Sequence, residues 1–139
     1  LGFIVYFLLL NGRYLLLTIE KSTDEKNQLH YRPISEADSP WRPLITDFVN
    51  QFYPVGSTGQ RLFLLTDYEA PTKRLVVMDV ERPGRQNLVE ILPASSATLE
   101  SVNLIDDQLV ATYLEDVLSR ISIFSLAGAH QRNVQLPSL

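Results

Sequence analysis

Gly12-Arg13-Tyr14-Leu15-Leu16-Leu17-Thr18 governs how the rest of the chain is read, because its pattern comes back twice. Gly59, 47 positions on, precedes Leu62-Phe63-Leu64-Leu65-Thr66, and Leu109, 47 after Leu62, opens Leu109-Val110-Ala111-Thr112-Tyr113. Second segments keep step at a spacing of 46: Leu29-His30-Tyr31, then Leu75-Val76-Val77-Met78, then Ile121-Ser122-Ile123-Phe124. Trp41 to Ile45, Leu88 to Leu92 and Asn133 to Leu136 close the three units. Short strand-type segments at a fixed period in this range are the signature of propeller blades. The sequence therefore predicts an all-β fold, a partial β-propeller of about three four-stranded antiparallel blades. A repeat unit cannot bury its faces alone, so the chain reads as a piece of a ring.

The first blade is expected over about 3–46, with strands Phe3 to Leu10, Arg13 to Lys21, Asn27 to Ile34 and Trp41 to Ile45. Asn11-Gly12 is a type I′ hairpin signal, since both central residues of that turn need positive φ. The second is expected over about 47–93, with strands Phe48 to Val55, Arg61 to Asp67, Lys73 to Val80 and Leu88 to Leu92. Here Gly56-Ser57-Thr58-Gly59 reads as the first turn, Glu69-Ala70-Pro71-Thr72 as the second, and Pro83-Gly84 marks the third. The third blade is expected over about 98–137, with strands Leu99 to Ile105, Gln108 to Leu114, Arg120 to Leu126 and Gln131 to Leu136. Asp106-Asp107 takes the place of the glycine turn, and Ala127-Gly128-Ala129 makes the last hairpin. Pro93 to Thr98 is the one stretch where a short helical turn is expected. Leu15 to Leu17, Leu62 to Leu65 and Leu75 to Met78 are apolar on both faces, as strands packed between two neighbouring sheets should be.

The 139 residues are 45% hydrophobic and 20% charged, an ordinary globular balance. The net charge of −4 and the scatter of Lys and Arg argue against a nucleic-acid partner. The chain has no cysteine, so disulfides and thiolate metal sites are excluded. That fits a reducing compartment: the expected location is cytoplasmic, with the periplasm as the second choice. Leu1 to Leu10 is apolar throughout, but a bilayer span needs roughly twenty residues. It carries no basic n-region or small-residue cleavage site. It reads as a buried strand, and no membrane partner is expected. The chain starts without Met, as a piece cut from a longer protein would.

No catalytic, cofactor-binding or metal-binding residue is expected in this chain, and no cofactor. A nucleophile elbow, Gly-x-Ser-x-Gly, does not occur; Gly56-Ser57-Thr58-Gly59 has the wrong spacing. His30 lies mid-strand and His130 follows a glycine turn, so neither is placed for a triad. Two His a hundred residues apart, without Cys, do not make a zinc site. Asp24-Glu25, Asp106-Asp107 and Glu115-Asp116 are adjacent acids in turns or strands, which do not converge. Arg13, Arg32, Arg61, Arg74 and Arg120 recur near strand ends. Solvated strand termini are the plain reading; the sharper one is that one or two line a central channel and steer peptide carboxylates.

Taken in order, several segments resemble the propeller of the prolyl oligopeptidase (prolyl endopeptidase) family of serine peptidases. They are Gly12 to Thr18, Thr23 to Gln28, Trp41 to Ile45, Phe63 to Asp67, Ala70-Pro71, Arg74 to Val76, Leu99 to Val102 and Tyr113 to Val117. The similarity runs from Asn11 to Pro137, and Leu1 to Leu10 departs from it. The resemblance implies about three blades from the middle of a seven-bladed ring. It implies a partner, the α/β-hydrolase peptidase domain of a parent chain, which is absent from this stretch. It also implies that the parent cleaves short peptides after proline, with the propeller restricting access. A second reading is a stand-alone binding or oligomerisation module. Three blades of an open ring leave two faces uncovered, with Phe3, Ile4, Leu8, Ile121, Ile123 and Phe124 expected on them, so self-association is expected of the chain by itself. A small β-sandwich enzyme is a third reading; it needs convergent polar residues that the sequence does not offer.

Overall fold

A computed structural model describes residues 2–10, 12–21, 24–36 and 38–137. Among these residues twelve strands form three four-stranded antiparallel sheets, each built of strands consecutive in the chain. The first holds β1 (Phe3–Leu10), β2 (Tyr14–Lys21), β3 (Asn27–Pro33) and β4 (Arg42–Ile45). The second holds β5 (Phe52–Thr58), β6 (Arg61–Thr66), β7 (Arg74–Asp79) and β8 (Val89–Leu92). The third holds β9 (Thr98–Ile105), β10 (Gln108–Glu115), β11 (Leu118–Ser125) and β12 (His130–Val134). Among the described residues there is no α-helix, only a 3-10 turn at Arg85–Asn87.

The sheets stack face to face around two cores. Leu16, Leu29 and Tyr31 of the first sheet meet Phe52, Leu62, Leu64, Val76 and Met78 of the second. Phe63, Leu65, Leu75 and Val77, on the other face of that second sheet, meet Leu99, Val102, Leu109 and Ala111 of the third. Successive strand side chains point to opposite faces, so only a sheet with neighbours on both sides buries consecutive residues. Leu62 to Thr66 and Leu75 to Met78 are buried without a break, as expected. In β2 the burial alternates instead: Leu16 and Thr18 are buried, Leu15 and Leu17 half-exposed.

A clamp ties the first junction. The Asn27 side-chain amide donates to the Phe52 carbonyl (2.9 Å), and its oxygen accepts from the Phe52 N–H (2.7 Å). Asn27 thus stands in for a missing ladder partner at the start of β5. Asp67 holds the same loop by accepting from Asn50 Nδ2 (3.1 Å) and the Gln51 N–H (2.9 Å). The second junction uses backbone: the Leu99 N–H donates to the Thr72 carbonyl (2.9 Å).

Four expectations need correction. β5 starts at Phe52, not Phe48, and runs through Thr58. Gly56-Ser57-Thr58 is therefore strand rather than turn, with a bulge at Val55 that keeps the outward alternation in register. The tight turn is Gly59-Gln60, and Gly59 sits at φ +59. The short helical turn forms after Pro83-Gly84, where Gly84 adopts φ +127, and not at Pro93 to Thr98. The last strand begins at His130 and ends at Val134, short of Leu136. Asp106 and Asp107 both have left-handed backbone (φ +48 and +58), the conformation of a type I′ turn. Gly12 has φ +65; its partner in the predicted Asn-Gly turn, Asn11, lies outside the described residues, as do Ser22 and Thr23 of the polar connector.

Candidate functional site

The first hairpins of the three units come together at one end of the stack. Arg13, Ser57, Thr58, Gly59, Leu104, Asp106 and Asp107 line an open hollow of about 700 Å³. Gly56 permits the approach: a Cβ there would stand 2.9 Å from the Leu104 side chain of β9. The hydroxyl of Ser57 is buried without a hydrogen-bond partner, as is that of Thr18 in β2. Among the five arginines singled out from sequence, Arg13 alone borders this hollow. Arg32 lies over the Trp41 ring (4.7 Å), Arg61 over Phe63 (5.9 Å) and Arg120 over Tyr113 (4.9 Å). Arg74 pairs with Glu90 at 3.0 Å and covers Tyr68. Four of the five therefore cap aromatic rings, a packing role.

Arg85 was not singled out, yet it makes the best-formed ion pair. Its guanidinium grips both oxygens of Asp47 at 3.0 and 2.8 Å while stacking over Phe52 and Tyr68. The two donated hydrogen bonds hold the Asp47 carboxyl below its usual range. Only an Arg fork can make that bidentate grip, and the signal would have been a cation beside the Pro83-Gly84 turn.

The outer face of the first sheet is apolar. Phe3, Val5 and Phe7 pair across β2 with Lys21, Ile19 and Leu17, so all six share one face. Phe3, Val5 and Phe7 are 60%, 50% and 55% exposed. His30 lies on this face through its pairing with Leu17, and its Nε2 meets Gln28 Oε1 at 3.2 Å. Burial lowers its pKa below the ordinary value. On the opposite face the Tyr6 hydroxyl donates to Glu20 Oε1 (2.6 Å); burial and that carboxylate push its pKa well up. At the other end of the stack, Ile123 is buried and Ile121 and Phe124 are half-buried. The expectation that Ile123 and Phe124 stand on an open face is thus corrected. Ile123 is buried, and Phe124 turns inward to the second core.

A second polar cluster lies between the second and third sheets, away from the hairpin tips. Ser122, Asn133 and His130 meet there: the Ser122 hydroxyl donates to Asn133 Oδ1 (2.7 Å), which stands 2.9 Å from His130 Nε2. Burial raises the pKa of Tyr113 beside it, and the Arg120 charge opposes that rise. Sequence reading missed this cluster because its members come from two strands whose pairing register brings them together. Asp24-Glu25, Asp106-Asp107 and Glu115-Asp116 remain separate and solvent-facing, in keeping with their adjacent positions. No group of three or more His, Asp or Glu able to hold a metal ion occurs among the described residues. No helix among them is long and apolar enough to cross a membrane.

Three consecutive four-stranded antiparallel sheets, stacked in chain order with each first hairpin at the same end, define a β-propeller segment. The family model for the prolyl oligopeptidase N-terminal beta-propeller domain matches residues 10–139, and the chain belongs to that family. The match begins at Leu10, so the departing segment up to Leu9 stands outside it. The chain is 27% identical over 125 residues to a prolyl endopeptidase of Elizabethkingia meningoseptica, covering 90% of this chain and 17% of that protein. It is 24% identical to prolyl oligopeptidase A of Amanita bisporigera, covering 86% and 16%. Among solved structures it superposes on a prolyl endopeptidase at TM-score 0.87, with 27% identity over 97% of this chain and 20% of the other. The fold is shared with prolyl oligopeptidase B of Galerina marginata at TM-score 0.85, with 22% identity over 95% and 19%. The chain thus spans about a sixth of the length of the relatives it matches.

Proposed function

We propose that this chain is the non-catalytic propeller segment of a serine endopeptidase that cleaves short peptides after proline, and that it serves there as the gate that restricts substrate access. The observation that carries this reading is the three-sheet stack itself, within a family match over residues 10–139. The partners in this reading are an α/β-hydrolase peptidase domain of the parent chain and its short peptide substrates; the hydrolase domain supplies the acyl transfer. A cysteine-free chain fits a cytoplasmic parent, or a periplasmic one. The chain alone should leave a fluorogenic Gly-Pro amide uncut. The parent, in contrast, should cut that amide and spare a folded protein bearing exposed Pro. Sheets loosened by Asn27→Ala should then admit longer peptides. An unchanged size limit in that variant, with the sheets shown to part, would remove the gating role.

A second reading rests on the exposed Phe3, Val5 and Phe7 face: the chain, made alone, covers that face with a second copy. Sedimentation at micromolar concentration should give a dimer or larger species that Val5→Lys dissolves. A monomer at that concentration would end this reading.

A further inference from the structure

A cleft between the second and third sheets is bordered by Ser122, a small polar residue at a repeat position. Leu64 and Val76 fill the face of the second sheet that meets the first sheet. The residues 47 and 46 positions on are Ala111 and Ser122, paired side by side on the face of the third sheet that meets the second. Ala111 is fully buried in the second core, whereas Ser122 borders open space. That space is a cleft of about 390 Å³ walled by Leu92, Pro93, Tyr113 and Phe124. Gly128 sets the wall's position. A Cβ there would fall 2.2 Å from the Ile91 carbonyl oxygen, so only glycine lets the last hairpin close against β8.

The polar atoms in this cleft have an uneven balance of donors and acceptors. Asn133 Oδ1 is occupied by the Ser122 hydroxyl and the His130 ring, which leaves its amide N–H₂ to donate elsewhere. Ser122 is itself buried, which holds its hydroxyl against Asn133. Arg120 adds a guanidinium stacked on Tyr113. It pairs with Glu115 at 3.7 Å, and both side chains are about half exposed, so water screens that pair. The cleft therefore presents donors and a cation above apolar and aromatic walls. That is the usual make-up of a small-ligand site, a mostly apolar hollow with a few convergent polar groups.

We propose that this cleft binds a small carboxylate with a compact apolar or aromatic body, its oxygens taken by Arg120 and Asn133 and its body lying against Tyr113, Phe124 and Pro93. The site lies within the stack of the second and third sheets and does not depend on the gating reading. A free acid and the C-terminal carboxylate of a peptide share this chemistry.

The test is an amide ¹H–¹⁵N NMR titration of the chain with sodium 3-phenylpropionate, with 3-phenylpropionamide as the uncharged control. Saturable shifts centred on Ser122, Gly128 and Asn133 are expected with the acid and none with the amide. Arg120→Gln, an exposed change that spares the fold, should weaken binding about tenfold, the worth of one charge-assisted contact. Ser122→Val removes the hydroxyl that holds Asn133 and should weaken the response. The tetrapeptide Gly-Gly-Gly-Phe and its C-terminal amide separate the two sources: equal affinity of the peptide and the free acid identifies a chain terminus as sufficient. Non-saturating shifts, an equal response to the amide, or full binding by Arg120→Gln would overturn the proposal.

Discussion

The second sheet and the first share a strand plan, a direction and nearly a length, yet they use their faces differently. The second is covered on both sides, and its central strands bury residue after residue. The first is covered on one side only, and Phe3, Val5 and Phe7 stand in the open although they are as apolar as anything in the core. Composition alone therefore does not decide burial here; position in the stack does. No other sheet among the described residues lies over that face of the first sheet. On the outer face of the third sheet Ile123 is buried and Ile105 is 52% exposed, so the two ends of the stack are not equivalent.

The largest effect should come from the middle. Phe63→Ala removes a fully buried ring from the second core and should cost about 3–5 kcal/mol in urea unfolding. Phe7→Ala, on the open face, should cost under about 1 kcal/mol. A loss from Phe7→Ala as large as that from Phe63→Ala would show the face to be covered, and would break the contrast.

Next come the joints between sheets. Gly128→Ala puts a Cβ against the Ile91 carbonyl at a residue with φ +88, and should cost about 2–3 kcal/mol or more. Gly12→Ala meets nothing within 4 Å, so only its φ of +65 opposes it, at about 1 kcal/mol. Similar losses at the two glycines would mean that the hairpin and β8 do not touch. Asn27→Ala strands the N–H and C=O of Phe52 at the first junction and should cost about 2–3 kcal/mol. If Asn27→Ala leaves the unfolding midpoint in place, the clamp is not what joins the first two sheets.

The smallest effect is a pH dependence on the open face. The pKa of His30 is lowered in the folded chain, so between that value and about 6.5 the unfolded chain binds more protons. Stability then rises with pH across this window and is lost as pH falls below the unfolded value. The loss should be well under about 1 kcal/mol, because His30 is only half-buried and water screens it. His30→Gln should flatten the unfolding midpoint between pH 5 and 7, roughly the range in which an ordinary His changes charge. A steeper dependence at high protein concentration would sharpen the comparison, since a covered His30 would be harder to charge.

Much of this was legible in the chain. The period of 46–47 residues gave the number of sheets, and eleven of the twelve strands lie within a few residues of their expected places. The exception, β5, was misplaced because Pro54 and Gly56 look like breakers. A bulge accommodates both, and a bulge is set by the partner strand. The lack of a nucleophile elbow could also be read directly. The Ser122, Asn133 and His130 cluster could not be read that way, since strand register and not chain spacing assembles it.

The sequence by itself determined the architecture, because side-chain alternation and turn residues are local properties that repeat whenever the pattern repeats. Tertiary structure decided which faces are filled, which are bare, and which polar atoms are left with unspent donors. Those outcomes depend on what stands across a gap of one side chain's length. At that distance Ser122 against Val76 is a difference of a few atoms, and it puts a hydroxyl holding Asn133 where the second sheet has an apolar side chain.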